Sequence, residues 1–379
     1  MHAPSVGEGL QARPVAHALR TAYPSAQLAY TFFSPSAESF AASIGADVSG
    51  YLPFDSAADA DLMLDVLQPS ALVFVKLDVW PILVERATAR GVPVLLLSAT
   101  LAESSGRRGA LSQALLRDAY ASLTAVGAID DAHGARLVQL GVRAECLTST
   151  GDTRFDQVWQ RAQGVDRSLA HMTATANERP TVVAGSTWPA DEAVLLPAWE
   201  QVRAKVPDAR LLIAPHEPTA SHVQPLVDWA RAHHCRVATL GDMERDRSHQ
   251  EADVIIVDRV GVLGDLYAHA DVAYVGGGFH TAGLHSAIEP AAFGAPVVFG
   301  PGHHMSREAG LLLSAGGGTA VHDVETLRHA LVRLLRDETA RGEAGAAARE
   351  IVARERGATA RSVALITSVL NSASSAPAV

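Results

Sequence analysis

Short apolar runs punctuate the chain at residues 28–33, 71–75, 92–97, 124–129, 181–184, 211–214, 254–257, 272–275 and 296–299. Each is too short for a buried helix and rich in Val, Leu and Ile, as strands covered on both faces of a parallel sheet are. Amphipathic stretches of helical length lie between them, residues 12–23 and 191–206 among them. Strand and helix alternating in this way predict an α/β protein with doubly wound parallel sheets. The rhythm lapses between about 158 and 180, where the chain is polar, and resumes at Thr181. Two Rossmann-like domains facing a cleft are therefore expected, the first over 1–170 and the second over 171–379. The second would carry a C-terminal helix and a tail, 371–379, too small and polar to hold structure.

Composition narrows the class. The 379 residues are 48% hydrophobic and 19% charged, which excludes collagen, coiled coil and wholesale disorder. A formal net charge of −10 offers no nucleic-acid footprint. Two cysteines, Cys146 and Cys235, read as reduced thiols and supply neither a disulfide framework nor a metal knot. No apolar run reaches the roughly 20 residues that span a bilayer. Met1-His2-Ala3-Pro4 lacks the basic start and apolar core of a signal peptide. A soluble cytoplasmic chain is the first expectation.

Candidate chemistry gathers at strand ends. Ser5-Val6-Gly7-Glu8-Gly9 leads into a helix, where the dipole favours an ionised Glu8 able to take a proton from a hydroxyl. An acid in a first turn also serves helix stability alone. Lys76 and Asp78 follow a strongly apolar strand, as functional groups or as a mutual ion pair. In Gly151-Asp152-Thr153-Arg154-Phe155-Asp156, Arg154 offers a donor fork for carboxylate or phosphate, or a salt bridge to Asp152 or Asp156. Gly185-Ser186-Thr187 precedes a helical stretch, either as an anion site or as a plain cap.

The densest segment runs from Gly276-Gly277-Gly278-Phe279 through Ser286-Ala287-Ile288-Glu289-Pro290 to Gly300-Pro301. No packing demand for three glycines, an acid and Gly-x-Pro is evident, so the segment reads as a ligand site with Glu289 accepting from a ribose. His280, His285, His303 and His304 match no zinc-binding spacing, so no metal is expected. Asp59-Ala60-Asp61 lies in a helical stretch without a glycine loop and reads as a solvated face.

Together these residues resemble the 3-deoxy-D-manno-octulosonic acid (Kdo) transferases of lipopolysaccharide synthesis, inverting glycosyltransferases of the two-Rossmann GT-B type. The resemblance extends from about His2 to Leu370. It is carried by Ser-Val-Gly-Glu at 5–8, GDTRFD, GSTWPADE, APHEP, and GGGF through IEP to FGAPVVFGP. It implies Glu8 as general base, with Asp78 and Arg154 stabilising the transition state. The donor CMP-Kdo would lie on the second domain. Ser186 would bind its phosphate, Pro215, His216, Val260, Gly261 and Val262 would line the nucleotide, and Gly277, Gly278 and Ser286, Ala287, Ile288 and Glu289 would hold phosphate and ribose. The acceptor would be a lipid A precursor at the cytoplasmic face of the inner membrane, with no metal or cofactor.

The chain departs from the family's pattern at several points. Ser286 replaces an asparagine, Val260-Gly261-Val262 a Met-Gly-Glu, Ala214-Pro215-His216 a Pro-Arg-His, and Lys76 a frequent acid. Family members carry an N-terminal membrane anchor and a first strand ending Trp-Ile-His-Ala, whereas this sequence begins at Met1-His2-Ala3. A shortened central strand would expose apolar neighbours and unpaired backbone. Residues 104–108 and 110–116 mix basic and apolar positions, as a membrane-facing helix or an ordinary amphipathic one does. Two other readings stand beside transfer: a nucleotide-sugar epimerase of the same fold, and a non-catalytic relative binding nucleotide or lipid.

Overall fold

A computed structural model describes residues 1–103 and 105–375. Two compact units form, one from residues 1–157 with the described residues from Glu355 onward, the other Val158–Arg354. In the first, all strands are parallel: β1 (Ala29–Phe32), β2 (Val48–Tyr51), β3 (Leu72–Val75), β4 (Val94–Ala99), β5 (Ala125–Ala128) and β6 (Leu147–Ser149). They run β2-β1 and β3-β4-β5-β6. Residues 1–3 join the two ladders. The His2 amide donates to Val73 O at 2.7 Å and Ala3 to Thr31 O at 3.0 Å, while Val75 donates to His2 O at 3.1 Å. His2 and Ala3 are fully buried. The exposed seam expected between β1 and β3 is thus closed by these three residues.

The second unit holds β7 (Thr181–Thr187), β8 (Arg210–Pro215), β9 (Val237–Thr239), β10 (Val254–Ile256), β11 (Val272–Val275), β12 (Val297–Phe299) and β13 (Gly318–Ala320). Their order is β13-β12-β11-β7-β8-β10-β9, all parallel. The period of two sorts side chains cleanly. Val182, Ala184, Leu211, Ile213, Val254, Ile256, Val272 and Tyr274 pack on one face against Leu195, Trp199 and Leu331. Val183, Leu212, Ile255 and Ala273 fill the other with Met172, Leu240 and Leu266. Both faces are covered, as the unbroken apolar runs required.

The structure corrects several expectations. Strands β2, β9 and β13 were not legible, and each is a sheet edge, whereas the strand-like run that precedes Gly151 forms β6. The first helix begins at Val6, not at 12, and carries Pro14 inside it. Gly7, Gly9 and Pro14 lower its propensity, yet Gly9 sits where an added Cβ would strike the Phe40 ring at 2.5 Å. The C-terminal helix Ala358–Ser375 belongs to the first unit rather than the second. Its Ile366 is buried with Val15, Val73, Leu95, Leu97 and Ala125, and Asp156 accepts from the amides of Gly357 and Thr359, both at 2.6 Å. The division accordingly falls at 157/158, within the helix Thr153–Gln163, instead of at 170. Residues 371–375, expected to be unstructured, continue the last helix, while 376–379, like Ser104, lie outside the described residues. Among the described residues no helix is long and apolar enough to cross a membrane.

Candidate active site

Helix Val6–Ala22 begins directly after Ser5, which places Glu8 in its first turn. The Ser5 hydroxyl donates to Glu8 Oε2, and Lys76 Nζ stands 2.7 Å from Oε1. Burial opposes ionisation of Glu8, but hydrogen bonds from Lys76 and Ser5 and the lysine charge outweigh it, leaving the carboxyl below the ordinary glutamate range. A shielded, ionised carboxylate therefore stands at a helix N-terminus. Burial, with the Glu8 charge, pushes the nearby Tyr30 phenol up to about 12.

Lys76 and Asp78 do not pair with each other. Asp78 accepts from Trp80 Nε1 at 3.0 Å and faces His2 Nε2 and Arg107 Nη2, both at 3.5 Å. Burial works against its charge, yet His2, Trp80 and Arg107 together hold it below the ordinary range. Arg107 also donates to Leu77 O and to the Tyr120 hydroxyl. Its charge is thus turned onto the strand end, not outward as a membrane-facing helix would need, although Leu115 is 69% exposed.

Arg154 takes the salt-bridge option. Its Nε and Nη2 reach Asp152 Oδ2 at 2.9 and 2.7 Å, and its amide reaches Oδ1 at 3.0 Å. Gln11, one turn beyond Glu8, donates to the same Asp152 at 3.4 Å, and the Thr153 hydroxyl donates to Gln11 O at 2.8 Å. Glu8, Asp78 and Arg154 thus all follow carboxyl ends of parallel strands, where open α/β sheets place ligands. Glu8 pairs with Lys76, Arg154 is tied to the Glu8 helix through Asp152 and Gln11, and Asp78 is held separately by His2, Trp80 and Arg107.

In the second unit, Ser186 has φ 54 and sits at a register shift between Gly185 and Thr187. The three glycines have a packing reason after all. An added Cβ would lie 2.2 Å from Ser186 O at Gly276, 2.2 Å from Gly283 O at Gly277 and 2.5 Å from Gly300 N at Gly278. The backbone itself leaves no room, which corrects the reading of this run as a purely functional signal. Buried Asp191 fixes the loop by accepting from the amides of Gly277 at 2.8 Å and Phe279 at 3.1 Å.

Beside this loop stands an aromatic stack. Trp188 lies flat on His280, with centroids 4.2 Å apart, and also stacks on His216, which stacks on His285. Trp188 Nε1 donates to His285 Nε2 at 2.9 Å, which fixes that nitrogen as unprotonated. Burial, reinforced by His216 and His280, lowers His285 to about 4. Glu289 is raised above its ordinary value by burial, opposed by Arg161 and by a hydrogen bond from Ser286. Ala287 and Ile288 are fully buried, backbone included. At the nucleotide loop, Val260 is 75% exposed and Val262 is buried, while Gly261 has φ 91 and its carbonyl accepts from Arg161 at 3.3 Å. Pro215 ends β8, and the His216 amide donates to Thr187 O at 2.9 Å.

Sequence reasoning missed Arg161, Asp191, Trp188 and His280. Arg161 binds Asp265 at 2.9 Å and tempers Glu289, a long-range grouping that no local spacing encodes. Asp191 looked like an ordinary first-turn acid. Trp188 and His280 lay inside quoted motifs, but only the fold stacks them.

A family model described as 3-deoxy-D-manno-octulosonic-acid transferase matches residues 1–157. A 3-deoxy-D-manno-octulosonic acid transferase of Bordetella pertussis is 33% identical over 377 residues, 96% of this chain and 85% of that protein. One of Haemophilus influenzae is 27% identical over 371 residues, 97% of this chain and 86% of that protein. Among solved structures, UDP-GlcNAc 2-epimerase from Neisseria meningitidis bound to UDP-GlcNAc is similar with a TM-score of 0.68 at 12% identity, covering 98% of each chain. That likeness concerns the fold alone.

Proposed function

The chain belongs to the 3-deoxy-D-manno-octulosonic acid (Kdo) transferase family, and we propose that it moves Kdo from CMP-Kdo to a hydroxyl of a lipid A precursor with inversion at the anomeric carbon. The observation that carries this reading is Glu8, an ionised carboxylate shielded at a helix N-terminus in the residues that the family model matches. The acceptor hydroxyl gives its proton to Glu8 as its oxygen bonds to the anomeric carbon. The bond from that carbon to the phosphate oxygen breaks, and its electron pair leaves with cytidine monophosphate. Asp78 favours the cationic sugar. Arg154 takes up charge on the departing phosphate, which requires it to exchange Asp152 for the donor.

The donor is held by the second unit. Ser186 and the backbone of Gly277 and Gly278 serve the phosphate, Ser286, Ala287, Ile288 and Glu289 the phosphate and ribose, and Pro215, His216 and residues 260–262 the base. The cytidylate is a good leaving group, so no metal is needed in this reading. A lipid acceptor draws the protein to the cytoplasmic face of the inner membrane as a peripheral enzyme.

The test supplies CMP-Kdo and vesicles containing a lipid A precursor, with and without a chelator. Kdo-bearing lipid should form in both, and Glu8→Gln should lower kcat about 10²- to 10⁴-fold. Full activity of Glu8→Gln would remove Glu8 as base. Activity lost to the chelator would restore a metal. Epimerised nucleotide sugar formed without acceptor would favour the epimerase reading, and binding without turnover the non-catalytic one.

A further inference from the structure

Lys76 occupies an unusual place. It follows β3 with φ 71, a left-handed conformation that is strained for a non-glycine residue. The backbone holds it there: its amide donates to Leu97 O at 2.8 Å, and its carbonyl accepts from Thr100 at 3.3 Å. From this constrained position the side chain reaches Glu8 Oε1 at 2.7 Å. The Lys76 side chain is 46% exposed and that of Glu8 14%, so the lysine is the solvent-side member of the pair.

Ser5 occupies Oε2, so one partner engages each carboxylate oxygen. Two oxygens offer about four lone-pair sites, which leaves one on each for an incoming hydroxyl. The groups facing Glu8 are Ser5 at its own helix cap, Lys76 after β3 and Tyr30 on β1. Of these, only Lys76 carries charge at neutral pH.

We propose that Lys76 is a positioning residue for the transfer: its ammonium aims Glu8 and keeps the carboxylate ionised in mildly acidic solution, so that it sets the acidic limit of activity. The inference rests on the assignment of Glu8 as base. It involves no proton transfer to or from Lys76. The lysine makes Glu8 a weaker base above neutrality and a better-populated one below it, because the paired carboxylate resists protonation.

The experiment measures kcat/KM against pH for the parent, Lys76→Met, Lys76→Arg and Glu8→Gln, using CMP-Kdo and the lipid A precursor. In Lys76→Met the acidic limb should move up by about one pH unit, a shift moderated by the solvent exposure of the ion pair. At a pH below both limbs, that is about a tenfold loss beyond any change in the plateau. Lys76→Arg keeps a cation and should return the limb towards the parent's. A ¹³C-carboxyl NMR titration gives the same answer without turnover: the Glu8 midpoint should rise by about one unit in Lys76→Met. An unmoved limb and midpoint in Lys76→Met would overturn the inference, as would an equal loss at every pH in both the Met and Arg variants. The two assignments fail in different ways. If Glu8→Gln keeps the parent's activity and limb, Glu8 is not the base. If Glu8→Gln is inactive while Lys76→Met leaves the limb unmoved, only the role of Lys76 falls.

Discussion

At the residue scale, chemistry-bearing side chains are arranged by partners distant in sequence. Asp191 shows how much one carboxylate can organise. It is fully buried and accepts from the amides of Trp188, Gly277 and Phe279 and from the Tyr274 hydroxyl. Asp191→Asn would turn a donor group toward some of these donors and leave buried N–H groups unmatched. We expect a loss on the order of 3 kcal/mol, read as a lower denaturant midpoint with an unchanged m-value. Retention of parental stability would show that the glycine loop holds itself. Strand ends marked Glu8, Asp78 and Arg154 as candidates beside plain structural alternatives, and the resemblance to the Kdo transferases gave them their catalytic roles. Sequence alone did not separate the alternatives for Lys76 and Asp78, since pairing depends on which strand lies beside which.

At the element scale, legibility followed position in the sheet. Every apolar run became a strand, because interior strands must be apolar on both faces. The three unpredicted strands, β2, β9 and β13, have one neighbour each and mostly exposed or half-exposed positions, such as Val48 at 53%. They are held by backbone ladders, which leave no mark in composition. The last helix teaches the same lesson. Its existence was readable, but its docking on the first unit was not. Asp156 ties its start through two charge-assisted bonds. Asp156→Ala should cost about 1–3 kcal/mol and hasten proteolysis around residue 357, followed by limited digestion and mass spectrometry. Unchanged digestion would mean that the apolar contacts of Ile366 hold the helix unaided.

At the scale of the whole molecule, buried titratable groups make stability depend on pH. Burial lowers His285 to about 4, and likewise His269, which lies near Arg210 and Arg167. Both histidines are neutral when folded, so their contribution is full above the ordinary histidine value near 6.5 and is lost as pH falls from there through 4. The contribution of each is on the order of 2 kcal/mol. Asp253 acts lower still. Burial opposes its charge, but Arg236 and Arg179 hold the carboxyl far below its ordinary value, so its contribution is present above about 4 and fades beneath that. The melting temperature of the second unit should therefore decline between pH 6.5 and 4 and fall further below. His285→Gln should flatten the first decline, measured by calorimetry across that range. A parental slope in that variant would place the effect on other groups.

The sequence by itself determined the α/β class, the interior strands and the family, because burial demands apolar runs and the strand-end motifs are local strings. Tertiary structure decided the rest. It assigned the last helix to the first unit, seated residues 1–3 between β1 and β3, and gave each of the three glycines a backbone neighbour. It also placed Lys76 on Glu8 and Asp152 on Arg154. The physical reason is common to all of these: hydrogen bonds, ion pairs and close approaches form between groups that only the folded chain brings within a few ångströms.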